Sequence, residues 1–174
     1  PPLPTNFIEP PVPYDQSRVW ELHRAFYERM ALQAWAPGGI PSASTNNLAH
    51  ARQHARFLCA LYAHSRHTGK LRAGDPFYIL EIGAGPGVFA ANVFHALQRD
   101  CGKTGHMLSA DIRYVLSDFT PSTVTAAVTH PRLATYRSRV IPALFDVSNP
   151  MLVGLNGEPL TLPINVIFAN YVAC

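Results

Sequence analysis

Phe77-Tyr-Ile-Leu-Glu-Ile-Gly-Ala-Gly-Pro-Gly-Val-Phe89 is the stretch on which the reading of this chain turns. Phe77 to Ile82 is a short apolar run rich in aromatic and branched residues, the pattern of a strand buried on both faces. Gly83, Gly85 and Gly87 then break it at every second position. Beyond them Val88, Ala91, Phe94, His95 and Leu97 recur at helical spacing. A strand, a glycine turn and a helix bring bare backbone and a helix N-terminus against a ligand. The dinucleotide fingerprint G-x-G-x-x-G does not fit, because its third glycine would fall at Val88. The pattern present is E-x-G-x-G-x-G, with Glu81 inside the strand two residues before the first glycine. A purely structural turn is the competing reading.

Composition bounds the function classes. The chain has 174 residues, one domain's worth, and is 48 % hydrophobic with only 14 % charged residues, which places it among globular proteins. A net charge of +3 without a basic run argues against nucleic acid as a partner. Cys59, Cys101 and Cys174 are odd in number, widely spaced and form no C-x-x-C, so neither a zinc site nor a disulfide framework is indicated. A reducing cytoplasm is the simplest expected home. No stretch reads as a membrane span and the N-terminus lacks a signal pattern.

Residues 1–16 form a proline-rich arm, with six prolines by Pro13. Residues 17–70 read as a helical lid or cap. In its first helix Val19, Leu22, His23, Phe26, Met30 and Ala34 share a face, and Pro37-Gly38-Gly39 ends it. The small polar loop Ile40–Asn47 finishes on a candidate N-cap, and a second helix runs from about Leu48 to Ser65. This pair either closes over a ligand or packs as a plain hairpin. His50 and His54 share a face of the second helix, but with no third ligand they read as surface histidines and no metal is expected.

Residues 71–174 hold the strand–helix alternation of an α/β fold with a parallel sheet. Gln98 to Asp111 reads as a polar connection. Ile112–Ser117 is a second strand ending in Asp118-Phe119, and Thr120-Pro121 opens a helix. An acid in that place can accept hydrogen bonds from ribose hydroxyls, or can cap the next helix. Arg139–Phe145 is a third strand, pushed towards an edge or bulge by Pro142, and Asp146 closes it. Asp146 also reads as a turn former ahead of Ser148-Asn149-Pro150. Residues 151–163 read as a hairpin or irregular loop, and Ile164–Ala169 as a fourth strand ending in Asn170-Tyr171.

The Glu81–Gly87 turn followed by Asp118, Asp146 and Asn170 at successive strand ends resembles class I S-adenosylmethionine (SAM)-dependent methyltransferases. The likeness spans roughly residues 77–172. It implies a Rossmann-like sheet of strand order 3-2-1-4, the front half of a seven-stranded sheet. It further implies that Glu81, Gly83, Ala84, Gly85, Gly87, Asp118, Phe119, Asp146, Val147 and Asn170 hold SAM or its product S-adenosylhomocysteine (SAH), with Asp118 on the ribose and Asp146 on the adenine. SAM has no phosphate and carries a sulfonium, so an acid at Glu81 suits it. Asn170-Tyr171 stands where amino-group methyltransferases carry N-P-P-Y, though both prolines are absent; Tyr171 is expected on the acceptor. No residue declares itself as a catalytic base. The expected activity is methyl transfer by direct displacement to an acceptor that the sequence does not name. The alternatives are a non-catalytic binding or scaffold module and, further off, an NAD-linked oxidoreductase. Because both faces of strand 164–169 are apolar, further chain or a second copy is expected to cover its edge.

Overall fold

The computed structural model describes residues 8–170. Five strands form one sheet in the order β4-β3-β2-β1-β5. They are β1 (Phe77–Ile82), β2 (Ile112–Asp118), β3 (Val140–Asp146), β4 (Asn149–Gly154) and β5 (Ile164–Ala169). β1 lies between β2 and β5 and pairs with both in parallel, Phe77 opposite Ile112 and Leu80 opposite Ile167. β3 adds to β2 in parallel, and β4 turns back antiparallel on β3. The order therefore differs from the expected four-strand 3-2-1-4. An extra strand lies outside β3, and the strand expected fourth is β5. β4 escapes a sequence reading because Asn149-Pro150 and Gly154 bound it with turn-forming residues.

β3 is consequently an interior strand. Pro142 sits opposite Leu116 of β2, while the ladder to β4 begins one residue later, at Ala143 opposite Gly154. A proline has no N–H to give a second neighbour. β4 pairs beyond that point, so the proline bounds the pairing and does not force the strand to the edge.

Of the helices α1 (Val19–Met30), α2 (Leu48–His67), α3 (Val88–Asp100), α4 (Gly102–Asp111) and α5 (Pro121–Val128), α3 and α4 connect β1 to β2 and α5 follows β2, whereas β3, β4 and β5 succeed one another without a described helix between them. Asn47 caps α2, its Oδ1 accepting from the His50 N–H at 2.8 Å. Thr120 caps α5 ahead of Pro121. The stretch 98–111, expected as a polar connection, is the end of α3 followed by α4. Gly102 and Gly105 mislead here for different reasons. Gly102 has φ +54° and opens α4 directly after Cys101, whereas Gly105 lies inside α4 and packs against α3, where a Cβ would stand 2.1 Å from the Leu97 carbonyl oxygen.

The main core lies between one face of the sheet and the helices. Phe77 and Ile79 of β1, Ile112, Tyr114 and Leu116 of β2, Leu58 and Tyr62 of α2, and Phe89, Phe94 and Leu97 of α3 are all buried there. Truncating one such side chain typically costs 2–5 kcal/mol, so this layer fixes where the ends of β1 and β2 stand. On the opposite face Leu80, Val115 and Ala143 are buried under strand and loop residues such as Leu152, Leu160 and Leu162. Among the described residues no strand pairs with the outer edge of β5, where Ile167 is 58 % exposed. No described helix is long and apolar enough to cross a membrane.

Candidate functional site

A cavity of about 1040 Å³ opens at the C-terminal ends of β1, β2 and β3, beneath α1 and the loop 40–46. Its floor is the glycine turn. Gly83, Gly85 and Gly87 take φ values of +69°, +51° and +70°, a region that residues with a Cβ avoid. The turn is stitched to the neighbouring strand, as the Ala84 N–H donates to the Ser117 carbonyl at 2.9 Å and the Gly87 N–H to the Ala84 carbonyl at 3.0 Å. Gly83, Ala84 and Gly85 line the cavity, while Gly87 acts from behind as the first residue ahead of α3.

Asp118 stands beside the turn at the end of β2 and is almost fully buried. Its Oδ2 accepts from the Gly85 N–H at 3.0 Å and its Oδ1 from the Phe119 N–H at 2.9 Å. Asp118 is thus not the cap of α5, a place Thr120 takes; it ties the end of β2 to the glycine turn and still lines the cavity. Burial pushes its carboxyl above the usual range, and the three backbone N–H groups of Gly85, Phe119 and Thr120 together with His23 pull it back.

Glu81 is placed differently from the other candidates. Its side chain is buried on the helix-packed face beneath the turn and is not among the cavity's lining groups. The Tyr114 hydroxyl donates to its Oε2 at 2.8 Å, and its main-chain carbonyl accepts from the Ser117 hydroxyl at 2.7 Å. Desolvation raises the carboxyl to about 8, Tyr114 opposing this and Asp118 adding to it. Glu81 therefore acts on the turn from below.

Phe119, Asp146, Val147 and Asn170 also line the cavity, so the ends of β2, β3 and β5 converge on it. Asp146 is engaged twice. The Ser148 N–H and hydroxyl donate to its Oδ1, and the Arg24 guanidinium pairs with its Oδ2. The turn-forming role and the cavity-lining role therefore coexist at Asp146. Tyr171, expected on the acceptor, lies outside the described residues.

The roof holds the residues that sequence reasoning did not select. His23 stacks parallel on Phe119 at 5.8 Å, Tyr27 meets the same ring edge-on at 5.5 Å, and the Arg24 guanidinium lies 5.2 Å from its centroid. Trp35, in the 3-10 turn after α1, tilts against Tyr27 at 5.3 Å and closes over Gly85. Of the six residues expected to share a face, Val19, Leu22 and Phe26 are 38–46 % exposed, whereas His23 lines the cavity and Ala34, beyond the end of α1, is buried. The signal for the working face was the Trp20, His23, Tyr27 spacing, which repeats at helical intervals with aromatic rings.

Asn92 of α3 fixes the loop that walls the other side. It is buried, its Nδ2 donates to the Asn46 carbonyl at 2.6 Å, and its Oδ1 accepts from Arg132 at 2.7 Å. His50 and His54 are half-buried rather than on the surface, packed against Phe89, with His54 also against Phe168.

No family model matches the chain, and no curated protein sequence matches it. Among solved structures the chain is similar to "Crystal structure of DszA carbon methyltransferase", with a TM-score of 0.48 and 16 % identity. That alignment covers 87 % of this chain and 38 % of the other, so the chain spans well under half the length of that protein. A likeness of this size does not assign a family.

Proposed function

We propose that the cavity binds SAM and that the protein is a SAM-dependent methyltransferase. The observation that supports this most is the floor of the cavity. Three glycines at positive φ present bare backbone beside a buried carboxylate, at the C-terminal ends of parallel strands, where open α/β sheets bind their ligands. The residues fit the group. Asp118 keeps acceptor capacity on both oxygens for ribose hydroxyls, and Phe119, Asp146 and Val147 line the cavity beyond it, where the adenine would lie. When bound, SAM supplies an electrophilic methyl on a sulfonium. The chain's own contribution is alignment and exclusion of water by the aromatic roof, the chief demands of a direct displacement. Asn170, at the end of β5, lines the same cavity and belongs with the residues that would hold the cofactor.

Titration calorimetry with SAH tests the proposal. Asp118→Ala removes a charged acceptor of about 1.5–3 kcal/mol, so SAH should bind roughly tenfold to a hundredfold more weakly. Unchanged affinity in that variant would remove Asp118 from the site. Wild-type protein that binds neither SAM nor SAH would remove the reading itself. A non-catalytic module is the second reading, favoured by the hold that Arg24 and Ser148 already have on Asp146. The two part on whether tritium from labelled SAM reaches any acceptor.

A further inference from the structure

Away from the cavity, α2 and the α3–α4 junction bring two cysteines together. Cys59 lies in the middle of α2, and Cys101 is the single residue between α3 and α4. Both are free and partly exposed, and both pack against the edge of the main core. They line one small surface cavity of about 360 Å³ with Arg56, Asp100 and Thr104. The two cysteines thus face each other across one shared wall of the surface, Cys59 from α2 and Cys101 from the α3–α4 junction. The elements that carry them are held on both sides. Arg52 of α2 pairs with Asp100 at 2.8 Å, and Gly105 packs so closely that a Cβ there would stand 2.5 Å from the Cys101 Cβ. The backbone that carries Cys101 is therefore packed closely against its surroundings.

We propose that Cys59 and Cys101 form a reversible disulfide that staples α2 to the α3–α4 junction when a low-molecular-weight disulfide such as oxidised glutathione is present. The Cys101 thiolate attacks one glutathione sulfur, a mixed disulfide forms, and glutathione thiolate leaves with the electron pair of the broken S–S bond. The Cys59 thiolate then attacks the Cys101 sulfur, and the second glutathione leaves. The protein loses two hydrogens and two electrons, and one glutathione disulfide becomes two thiols. Cys59 is a poor first nucleophile because burial pushes its thiol up to about 12, with the charge and hydrogen bond of Cys101 adding to the rise. Capping Cys101 removes both of its contributions but leaves burial, the largest cause, so the second step is the slower one. The bridge closes a loop of about 40 residues, long enough for a substantial loss of unfolded-state entropy.

The test uses the whole folded chain, incubated with oxidised glutathione, alkylated and digested for mass spectrometry. A peptide pair joined through Cys59 and Cys101 is expected, with the oxidised protein melting about 5–10 °C above the reduced one. Cys59→Ser should stop the reaction at glutathione held on Cys101, which separates a missing bridge from a misfolded variant. A cysteine-containing peptide added to the same mixture reports independently that the oxidant has worked. Recovery of Cys59 and Cys101 fully alkylated, or a bridge that joins either of them to Cys174 alone, would overturn the proposal. So would a Cys59–Cys101 bridge that lowers the melting temperature.

Discussion

Glu81→Gln is expected to make the protein more stable than the wild type at pH 9, with the advantage shrinking as the pH is lowered towards 4.5. The Glu81 carboxyl titrates near 4.5 in an unfolded chain and near 8 when buried under the glycine turn. Between those values the folded chain binds the proton more tightly than the unfolded one. Raising the pH across this window therefore costs stability, and above about 8 the loss is complete. The gap corresponds to about 4–5 kcal/mol at most, since one pKa unit is about 1.4 kcal/mol. A glutamine keeps an acceptor for the Tyr114 hydroxyl but cannot ionise. Its amide has its own desolvation cost, which is independent of pH and cancels from the slope. Asp118 is also raised by burial and contributes a slope of the same sign, which both proteins share. Urea denaturation of the two proteins at pH 5, 7 and 9 makes the comparison. Parallel stability profiles would mean that Glu81 is ionised in the folded protein throughout.

The second large effect is expected at Gly85, where Gly85→Val should leave a folded protein with SAH affinity reduced by more than a hundredfold. Two physical causes act together. The backbone there has φ +51°, which strains a residue with a Cβ and most of all a branched one. The added Cβ alone would stand 3.0 Å from the Trp35 ring, and the two methyl groups of valine would go further into the cavity. The Gly85 N–H that holds Asp118 would be displaced with the turn. The damage is confined to the cavity, since the buried layer of α2, α3, β1 and β2 does not include Gly85. Far-ultraviolet circular dichroism and calorimetry on the same sample measure both halves of this. Retained affinity would make the glycine turn structural only.

The centre of the fold was legible because it is local. The apolar run of β1, the three glycines and the helical spacing after them are contiguous, and the runs of β2, β3 and β5 each carry enough branched residues to announce a strand. α4 was not legible because Gly102 and Gly105 look alike in a sequence. One turns the chain into a new helix, and the other is a contact that only packing reveals. The floor of the site followed from strand ends, since an acid after a parallel strand has few other places to go. Its roof did not. Arg24 and Asp146 are 122 positions apart, and nothing near either names the other. In α1 the more hydrophobic stripe drew the reading, whereas the aromatic stripe is the one that faces the sheet ends. The ring of Phe119, nearly a hundred positions away, decided that choice.

The way α1 is attached has a consequence for how the molecule breathes. None of its twelve residues is buried, and its ties to the rest include a half-exposed ion pair to Asp146, rings against Phe119 and a 3.3 Å hydrogen bond from Ser122 to the Glu28 carbonyl. Exposed ion pairs contribute at most about 1 kcal/mol and weaken as salt rises. The free energy of lifting α1 is therefore far below that of unfolding α3, eight of whose thirteen residues are buried. Its amides should exchange with deuterium orders of magnitude faster than those of α3, and faster still at high ionic strength. Equal protection of the two helices would contradict this. A molecule built so can admit a ligand through its roof while the sheet beneath stays rigid.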